Sequence, residues 1–282
     1  MIQTPALSRR SAMVALAGAA SSFAASAQTP SDIAIKHYIL IDLLPGFDQL
    51  TLDRWYMTYH APQTRRAYKA WQRNYISFRS YLPPAEAKLH FPTLLYGRMT
   101  EIQFDSLADF QATRPNNIYG DLTSSFTPPP GGWRSNKLYK ASVATVPTNP
   151  NELFVSRDTP PKELPYLRWL IFFRYPKTVP VEQGDGWFRD THAKDVAALP
   201  GLKRFGLYKV VTDSAAGQPI DYPRVAEMWF DDYPAWRRAF LDSAPVFEAP
   251  PWGGQFPFTE SISMFIGENP DVDFINDKRV IP

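Results

Sequence analysis

The sequence predicts an α+β protein built from two copies of one unit, because two short motifs occur twice in the same order. Residues 53–61 (DRWYMTYHA) reappear as 185–193 (DGWFRDTHA), which keeps an Asp, a Trp, a second aromatic residue, a His and an Ala in register. Residues 101–110 (EIQFDSLADF) match 227–236 (EMWFDDYPAW) at nearly the same offset. Self-similarity at a fixed offset is the signature of a repeated structural unit, here of roughly 110 residues.

Residues 1–27 are typical of an export signal. The pair Arg9 and Arg10 precedes a short apolar run, and residues 25–27 (ASA) have the small side chains of a cleavage site. The paired arginines favour the twin-arginine route over an ordinary secretory signal, so we expect a periplasmic protein. No later stretch approaches the roughly 18 to 20 apolar residues that span a bilayer. We therefore expect no membrane insertion of the mature chain.

The charge balance and the lack of cysteine exclude several classes of function. The chain has 30 Lys and Arg residues and 28 Asp and Glu residues, and two of the arginines belong to the signal. Without them the charges balance, so no nucleic acid partner is expected. The chain has no cysteine, which excludes disulfides, thiolate nucleophiles and Cys-based attachment of a metal or haem.

Each unit begins with a predicted strand and a helix. The β-rich runs 37–44 and 168–175 are the first strands, and a proline follows or ends each of them. The repeated motif then begins a helix, and we expect Asp53 and Asp185 near its N-terminus, where a carboxylate satisfies free backbone N–H groups. In the first copy Pro62 is expected to kink the helix, whereas the second copy has Lys194 at that position.

The remaining elements complete a strand, helix, strand, strand, helix, strand order in each unit. A second helix is expected after Asp105 and after Asp231, which can cap it. The Pro-rich segment 147–165 is interpreted as a surface linker, and the polar tail after Pro270 is not expected to form an element. The predicted division is a first unit at 28–146 and a second unit with its tail at 166–282. The remaining strands are predicted at 75–82, 94–104, 135–146, 205–211, 224–230 and 260–267.

This order is the ferredoxin-like plan, a four-stranded antiparallel sheet with two helices on one face. A single unit leaves the other sheet face bare and apolar. Two units in one chain can cover both faces by packing sheet against sheet, so we predict two tandem ferredoxin-like units forming an intramolecular α+β barrel. A monomer is then sufficient, although a homodimer is also open.

Two segments carry a resemblance to a known family. Residues 55–62 (WYMTYHAP) and residues 199–205 (LPGLKRF) resemble the EthD-like branch of the dimeric α+β barrel superfamily. The resemblance covers both halves, about residues 36–146 and 166–267. It implies a cleft between helix and sheet for small, often aromatic molecules. Relatives include cofactor-free cyclases, isomerases, decarboxylases and quinone-forming monooxygenases, while distant tandem relatives bind haem, so the fold alone does not give the reaction.

Histidine is the main candidate for chemistry, because imidazole can take and return a proton near neutral pH. His60 and His192 hold the same place in the two motifs, where each can be either an acid-base group or a structural residue. Aligning the first strands through their prolines places His37 opposite Arg168 and allows His37 to project towards His60. Three of the four histidines lie in the first half. We therefore predict His60 as the base, with His37 or Tyr56 assisting. His192 is a further catalytic candidate, or the structural copy if only one half keeps a competent pocket.

Substrate contacts are predicted from aromatic residues and arginines. On a regular helix Trp55 shares a face with Tyr59, and with Tyr81 they could form an aromatic box around a flat substrate. Arg168 and Arg174 lie in a predicted strand, where a charged side chain must pair with an acid or face a wet cavity. They can form ion pairs or clamp a substrate carboxylate or phenolate.

These observations favour a periplasmic, cofactor-independent lyase or isomerase that acts on a small aromatic or hydrophobic molecule. No Gly-rich phosphate loop, Gly-x-Ser-x-Gly elbow or His-Glu-x-x-His motif is present, so no cofactor or metal site is predicted. Two alternatives remain: a haem- or oxygen-dependent oxidoreductase of the same fold, and a non-catalytic protein that binds a hydrophobic ligand.

Overall fold

The computed structural model describes residues 32–68, 71–113, 126–132, 138–211 and 221–276 as two five-stranded antiparallel sheets with helices. The first sheet contains β1 (Ile35–Leu43), β2 (Gln72–Arg79), β3 (Gly97–Phe104), β4 (Tyr139–Pro147) and β10 (Val272–Asp273). The second sheet contains β5 (Glu152–Ser156), β6 (Leu167–Arg174), β7 (Arg204–Lys209), β8 (Arg224–Phe230) and β9 (Glu260–Gly267).

Short helices and π-helical turns connect the strands. The α-helices are α1 (Gln49–Trp55), α2 (Ala61–Tyr68), α3 (Ala85–His90), α4 (Leu107–Ala112), α5 (Val181–Trp187), α6 (Ala193–Ala197) and α7 (Tyr233–Arg237). The π-helical turns are Tyr56–His60, Phe188–His192 and Arg238–Asp242. None of the helices among the described residues has the length and apolar character that crossing a membrane requires.

The strand order confirms the ferredoxin-like plan in both halves. The orders are β10-β2-β3-β1-β4 and β5-β7-β8-β6-β9, so the four core strands have the same arrangement in each sheet. The fifth strand of the first sheet, β10, comes from the tail of the second half, and the fifth strand of the second sheet, β5, comes from the segment between the halves. β5 lies in the segment that we interpreted as a linker, and β10 lies in the tail that was not expected to form an element. The expectation for the tail was wrong, and the strand in the linker was not predicted. In both places an extended segment satisfies the free backbone groups of an open sheet edge.

The two sheets pack face to face, as the sequence predicted. One buried cluster takes alternate residues from both sheets, which is the period of side chains along a strand. Hydrogen bonds also join the sheet edges: Val211 N donates to Thr145 O at 2.7 Å, and Tyr81 N donates to Phe265 O at 2.9 Å. The members of the cluster are Tyr38, Leu40, Phe78, Met99, Ala144, Val146, Leu170, Phe172, Tyr208, Val225, Met264 and Ile266.

A buried group of charges also lies between the sheets. Arg168 Nε donates to Glu227 Oε1 at 2.8 Å and lies 3.9 Å from Glu101 through another nitrogen. Lys36 Nζ donates to the Tyr208 hydroxyl at 3.1 Å, and this hydroxyl donates to Glu227 Oε2 at 3.1 Å. Burial would raise the pKa of Glu227, but Arg168 and Lys36 hold it at about 2. Arg168 is therefore part of the contact between the halves.

The sheet register corrects the predicted alignment of the first strands. Lys36 pairs with Gln103, and Arg168 pairs with Trp229, which is the counterpart of Gln103 in the repeat. Lys36 therefore corresponds to Arg168, and His37 corresponds to Trp169. The alignment through the prolines was wrong by one residue, because β1 has nine residues and β6 has eight. A shift of one residue moves a side chain to the other face of the sheet.

The Asp of the repeated motif does not cap its helix, contrary to the sequence expectation. Asp48 caps α1 by accepting from Thr51 N, while Asp53 lies further along the helix and pairs with Arg98 at 2.5 Å. In the second half, Arg224 donates to both carboxylate oxygens of Asp185, at 2.9 and 2.6 Å. The repeated Asp therefore ties the histidine-bearing helix to the third strand of its own unit.

Candidate functional site

A π-helical turn positions the histidine in each half. In this turn the backbone N–H bonds to the carbonyl five residues back, and it does so from Ala61 to Tyr56 and from Ala193 to Phe188. The wider turn stacks the histidine on the Trp five residues earlier. The ring centroids of Trp55 and His60 are 4.8 Å apart at 24°, and the corresponding pair in the second half is 5.0 Å apart at 26°.

This geometry overturns two expectations. Trp55 is buried while Tyr59 is 46% exposed, so they do not share a face as they would on a regular helix. The π turn is also present in both halves, although Lys194 replaces Pro62 in the second. Pro62 therefore does not distinguish the two helices.

His192 lies on the wall of a largely enclosed cavity between the second sheet and its helices. The space open to the centre of a water molecule there is about 40 Å³. The walls come from strands, from the histidine-bearing helix and from the segment before β9. The described lining residues are Phe91, Trp169, Ile171, Phe173, Phe188, His192, Val196, Ala226, Met228, Phe240, Phe256, Pro257, Thr259, Ser261 and Ser263.

Part of the cavity wall comes from the first half. Phe91 follows α3, and its ring lies 4.8 Å from that of Trp169. Two contacts hold this segment on the second half. The Tyr233 hydroxyl donates to Glu86 at 2.8 Å, and Leu94 forms a bridge with Ser263. The cavity at His192 is therefore complete only when the two halves of the chain are packed together.

The segment between the third π turn and β9 covers the other side of His192. The rings of Phe247 and Phe256 stack at 4.3 Å, and they lie 5.9 and 6.2 Å from the imidazole. Because these rings exclude water, His192 is only 7% exposed. This cover was not predicted, since the segment has no regular hydrophobic period in the sequence.

Burial determines the charge state of the histidine. It lowers the pKa of His192 to about 4, although the nearby Asp195 acts in the opposite direction. At neutral pH the ring is therefore uncharged. Its Nδ1 is buried and has no hydrogen-bond partner among the described residues. A neutral imidazole with an unused nitrogen can accept or donate one hydrogen bond to a bound molecule.

The other polar groups of the cavity are few and uncharged. They are the indole of Trp169 and the hydroxyl residues Thr259, Ser261 and Ser263. Trp169 is 2% exposed, and its Nε1 also has no partner in the described part of the chain. Trp169 was not predicted as a site residue, although its counterpart His37 was a candidate. The one-residue error in the alignment of the first strands concealed this correspondence.

The histidine of the first half has a more polar environment. The Tyr56 hydroxyl bonds to Thr100 Oγ1 at 2.6 Å and to the Tyr75 hydroxyl at 3.3 Å, and Trp55 Nε1 donates to the Thr127 carbonyl at 3.1 Å. Burial lowers the pKa of His60 to about 4 as well. The repeated motif and the strand registers give the counterparts of Tyr56, Thr100 and Tyr75 in the second half, which are Phe188, Ala226 and Phe205.

The structure brings the predicted residues Trp55 and Tyr56 to His60, but His37 is not among the contacts described for His60. His37 bonds through Nδ1 to Thr145 and its ring lies 4.9 Å from Phe110, whereas His60 contacts Trp55, Tyr56 and Phe126, so the contacts described for the two histidines share no residue.

Neither predicted arginine is among the described residues of the cavity wall. Arg174 pairs with Glu260 at the surface, and Arg168 lies between the sheets. Tyr81 is 44% exposed at a junction of the two sheets. A substrate-binding role for these residues stays a prediction.

Comparison with known proteins adds a distant likeness in overall structure. The chain matches no protein family profile and no curated protein. Among solved structures, an anthrone oxidase-like protein is 10% identical with a TM-score of 0.48, over 86% of this chain and 93% of that one. A chlorite dismutase variant from Candidatus Nitrospira defluvii in complex with cyanide is 9% identical with a TM-score of 0.44, over 85% and 92%. Similarity at this level does not assign a reaction.

Proposed function

We propose that the protein is an exported, periplasmic enzyme that moves a proton on a small apolar molecule, with His192 as the general acid and base. One observation carries this proposal: an uncharged imidazole with a buried, unpartnered nitrogen lies on the wall of an apolar cavity. The assignment moves the active histidine from the first half, which the sequence favoured, to the second.

The chemistry needs a base that is neutral at rest and stabilised when it becomes charged. His192 would take a proton from a C–H or O–H bond of the substrate, which leaves an anion beside an imidazolium. Return of the proton to a different atom gives an isomerase, and loss of a leaving group from the anion gives a lyase. No further reactant is required for either outcome.

The aromatic neighbours offset part of the cost that burial imposes on the charged histidine. Trp187 stacks on the imidazole, and Phe188 lies 5.1 Å from it. A cation over an aromatic face is attracted by the ring quadrupole, most strongly for Trp. The same aromatic surroundings exclude water, which strengthens the attraction between the imidazolium and the substrate anion.

The residues of this cavity do not fit a haem. The space open to water centres, about 40 Å³, leaves room for about one six-membered ring and not for a porphyrin, and the described lining contains no Lys or Arg to pair with propionates. Reaction of the substrate anion with oxygen would start from the same proton transfer. An oxidation would differ from an isomerisation or elimination in needing oxygen, so rates measured with and without oxygen distinguish the two.

Isomerisation of 3-cyclohexen-1-one provides the test, because a proton must leave the carbon beside the carbonyl and be returned two carbons along the ring. The conjugated product absorbs in the ultraviolet, so the rate is read directly, with and without oxygen. We expect catalysis in both atmospheres. His192→Gln should lose roughly 10² to 10⁴ of the rate, which is the usual contribution of a general base.

His60→Gln is the matched comparison, because His60 has the same helix geometry, and a pKa lowered to the same value by burial, but is not among the residues of this cavity. We expect it to retain the rate. Equal losses in the two variants would contradict the assignment of the active site to the second half. Product formation only in oxygen would support the oxidoreductase instead. Binding of the ketone without turnover would support the non-catalytic ligand-binding protein.

A further inference from the structure

We infer that the cavity at His192 selects an uncharged, one-ring molecule with a hydrogen-bond acceptor, and that the indole N–H of Trp169 is the donor that recognises it. The inference rests on the proposed function for the location of the site, but it concerns recognition rather than reaction. Trp169 would thus determine which molecules enter.

The described lining of the cavity carries no charged side chain, so it favours an uncharged ligand. No Lys, Arg, Asp or Glu is among those residues, and His192 is neutral at neutral pH. The nearest buried arginine in the sequence, Arg168, points to the other face of the sheet and is bonded to Glu227. A carboxylate in this cavity would lose its water without gaining a counter-ion, and so would an ammonium group.

The indole N–H of Trp169 has no hydrogen-bond partner among the described residues, so it is available to a ligand. A buried Trp N–H normally has a hydrogen-bond partner. The rings around Trp169 are those of Phe91, Trp236, Phe240 and Phe265, with centroids between 4.8 and 5.8 Å away. An aromatic face is a weak acceptor. A carbonyl or ether oxygen in the cavity would supply the partner that the described protein atoms do not.

The size of the cavity limits the ligand to about one ring. If the 40 Å³ open to water centres is taken as a sphere and widened by one water radius, the cavity has a radius of roughly 3.5 Å. That is close to the size of a six-membered ring. The T-shaped contacts of Trp169 with Phe91 and Phe240 set rings at right angles around this space, so a flat ligand would meet both faces and edges.

Three probes of similar shape separate these requirements: benzaldehyde has an acceptor, toluene has none, and benzoate carries a charge. Their dissociation constants for the mature protein would be measured by calorimetry at neutral pH. We expect benzaldehyde to bind roughly fivefold more tightly than toluene, as one neutral hydrogen bond allows, and benzoate to bind more weakly than either. Nuclear magnetic resonance should show that benzaldehyde, but not toluene, shifts one indole N–H signal.

Trp169→Phe should bind benzaldehyde and toluene equally, because it keeps an aromatic ring and removes the donor. The matched control is Trp236→Phe. Trp236 also has a buried Nε1 without a described partner, but it is not among the cavity residues, so the fivefold preference should remain. If Trp169→Phe fails to fold, the indole shift in the unaltered protein decides the question.

Four results would overturn the inference. Two concern the hydrogen bond: equal binding of benzaldehyde and toluene by the unaltered protein, or no indole shift with benzaldehyde. The other two are tighter binding of benzoate than of the two uncharged probes, or no binding of any probe. These measurements need no turnover. A preference for benzaldehyde without isomerisation of the cyclohexenone would therefore refute only the proposed reaction, and isomerisation with equal probe binding would refute only the recognition by Trp169.

Discussion

The two histidine sites share a helix geometry and differ in the residues around it. Both have the π turn, the stacked Trp and the Asp that pairs with an Arg on the third strand. In the first half, hydroxyl groups of Tyr56, Tyr75 and Thr100 bond to one another. In the second half, the corresponding residues have no hydroxyl. The helix geometry is therefore a property of the repeated unit, whereas the chemistry depends on the residues that surround the histidine.

Cutting the chain should have the largest effect, because each half supplies parts of the other. Residues 28–150 contain neither β10 nor the second sheet, so the apolar face of the first sheet would be bare. We expect this fragment to aggregate or to dimerise when expressed alone. Light scattering would measure this. Co-expression with residues 151–282 is the control and should restore a complex of one copy of each fragment.

The Asp–Arg pairs should respond unequally to mutation. Asp185→Ala leaves Arg224 buried without a described acidic partner, and removal of one member of a buried ion pair costs roughly 3–5 kcal/mol. Asp53→Ala should cost less, since Arg98 keeps its contact with Asp271. Urea unfolding would compare the two. Equal losses would show that Asp271 does not support Arg98.

The buried histidines should make stability fall in mild acid. Each has a folded-state pKa of about 4 against an ordinary value of 6.5, so the unfolded chain binds the proton first. Above pH 6.5 neither state is protonated and the full stability is present. As pH falls from 6.5 to 4, each histidine lowers the free energy of unfolding by up to about 3 kcal/mol.

Measurement between pH 6.5 and 4.5 avoids most carboxylate titration. In this window His192→Phe and His60→Phe should each flatten the dependence of the free energy of unfolding on pH. A slope that neither variant changes would mean that the histidines are hydrated in solution, contrary to their burial.

The smallest expected effect concerns the hydroxyl groups of the first half. Tyr56→Phe would leave Thr100 and Tyr75 with a missing partner, at a cost of about 1–2 kcal/mol. The complementary change, Ala226→Thr, would place a larger side chain on the wall of the cavity at His192 and should weaken benzaldehyde binding. Thermal unfolding and calorimetry would measure these effects. Unchanged binding by Ala226→Thr would mean that this wall can move.

The sequence predicted the repeated parts of the molecule well and the contacts between them poorly. The motif match placed both ferredoxin-like units and their facing sheets, because periodicity and duplication are local signals. It could not show that Phe91 completes a cavity of the other half, since no local pattern records a contact across so many residues. The π turn was also missed, and with it the stacking of Trp55 on His60.

The covalent link between the two units has a consequence for how their sites can diverge. In a homodimer of single units, one gene encodes both sites, so a change from Tyr to Phe beside the histidine appears in both at once. Here Tyr56 and Phe188 are encoded by separate codons, so each can change without the other. One site can therefore keep the polar packing that stabilises the protein while the other acquires an apolar wall, and natural selection can act on stability and on ligand choice independently.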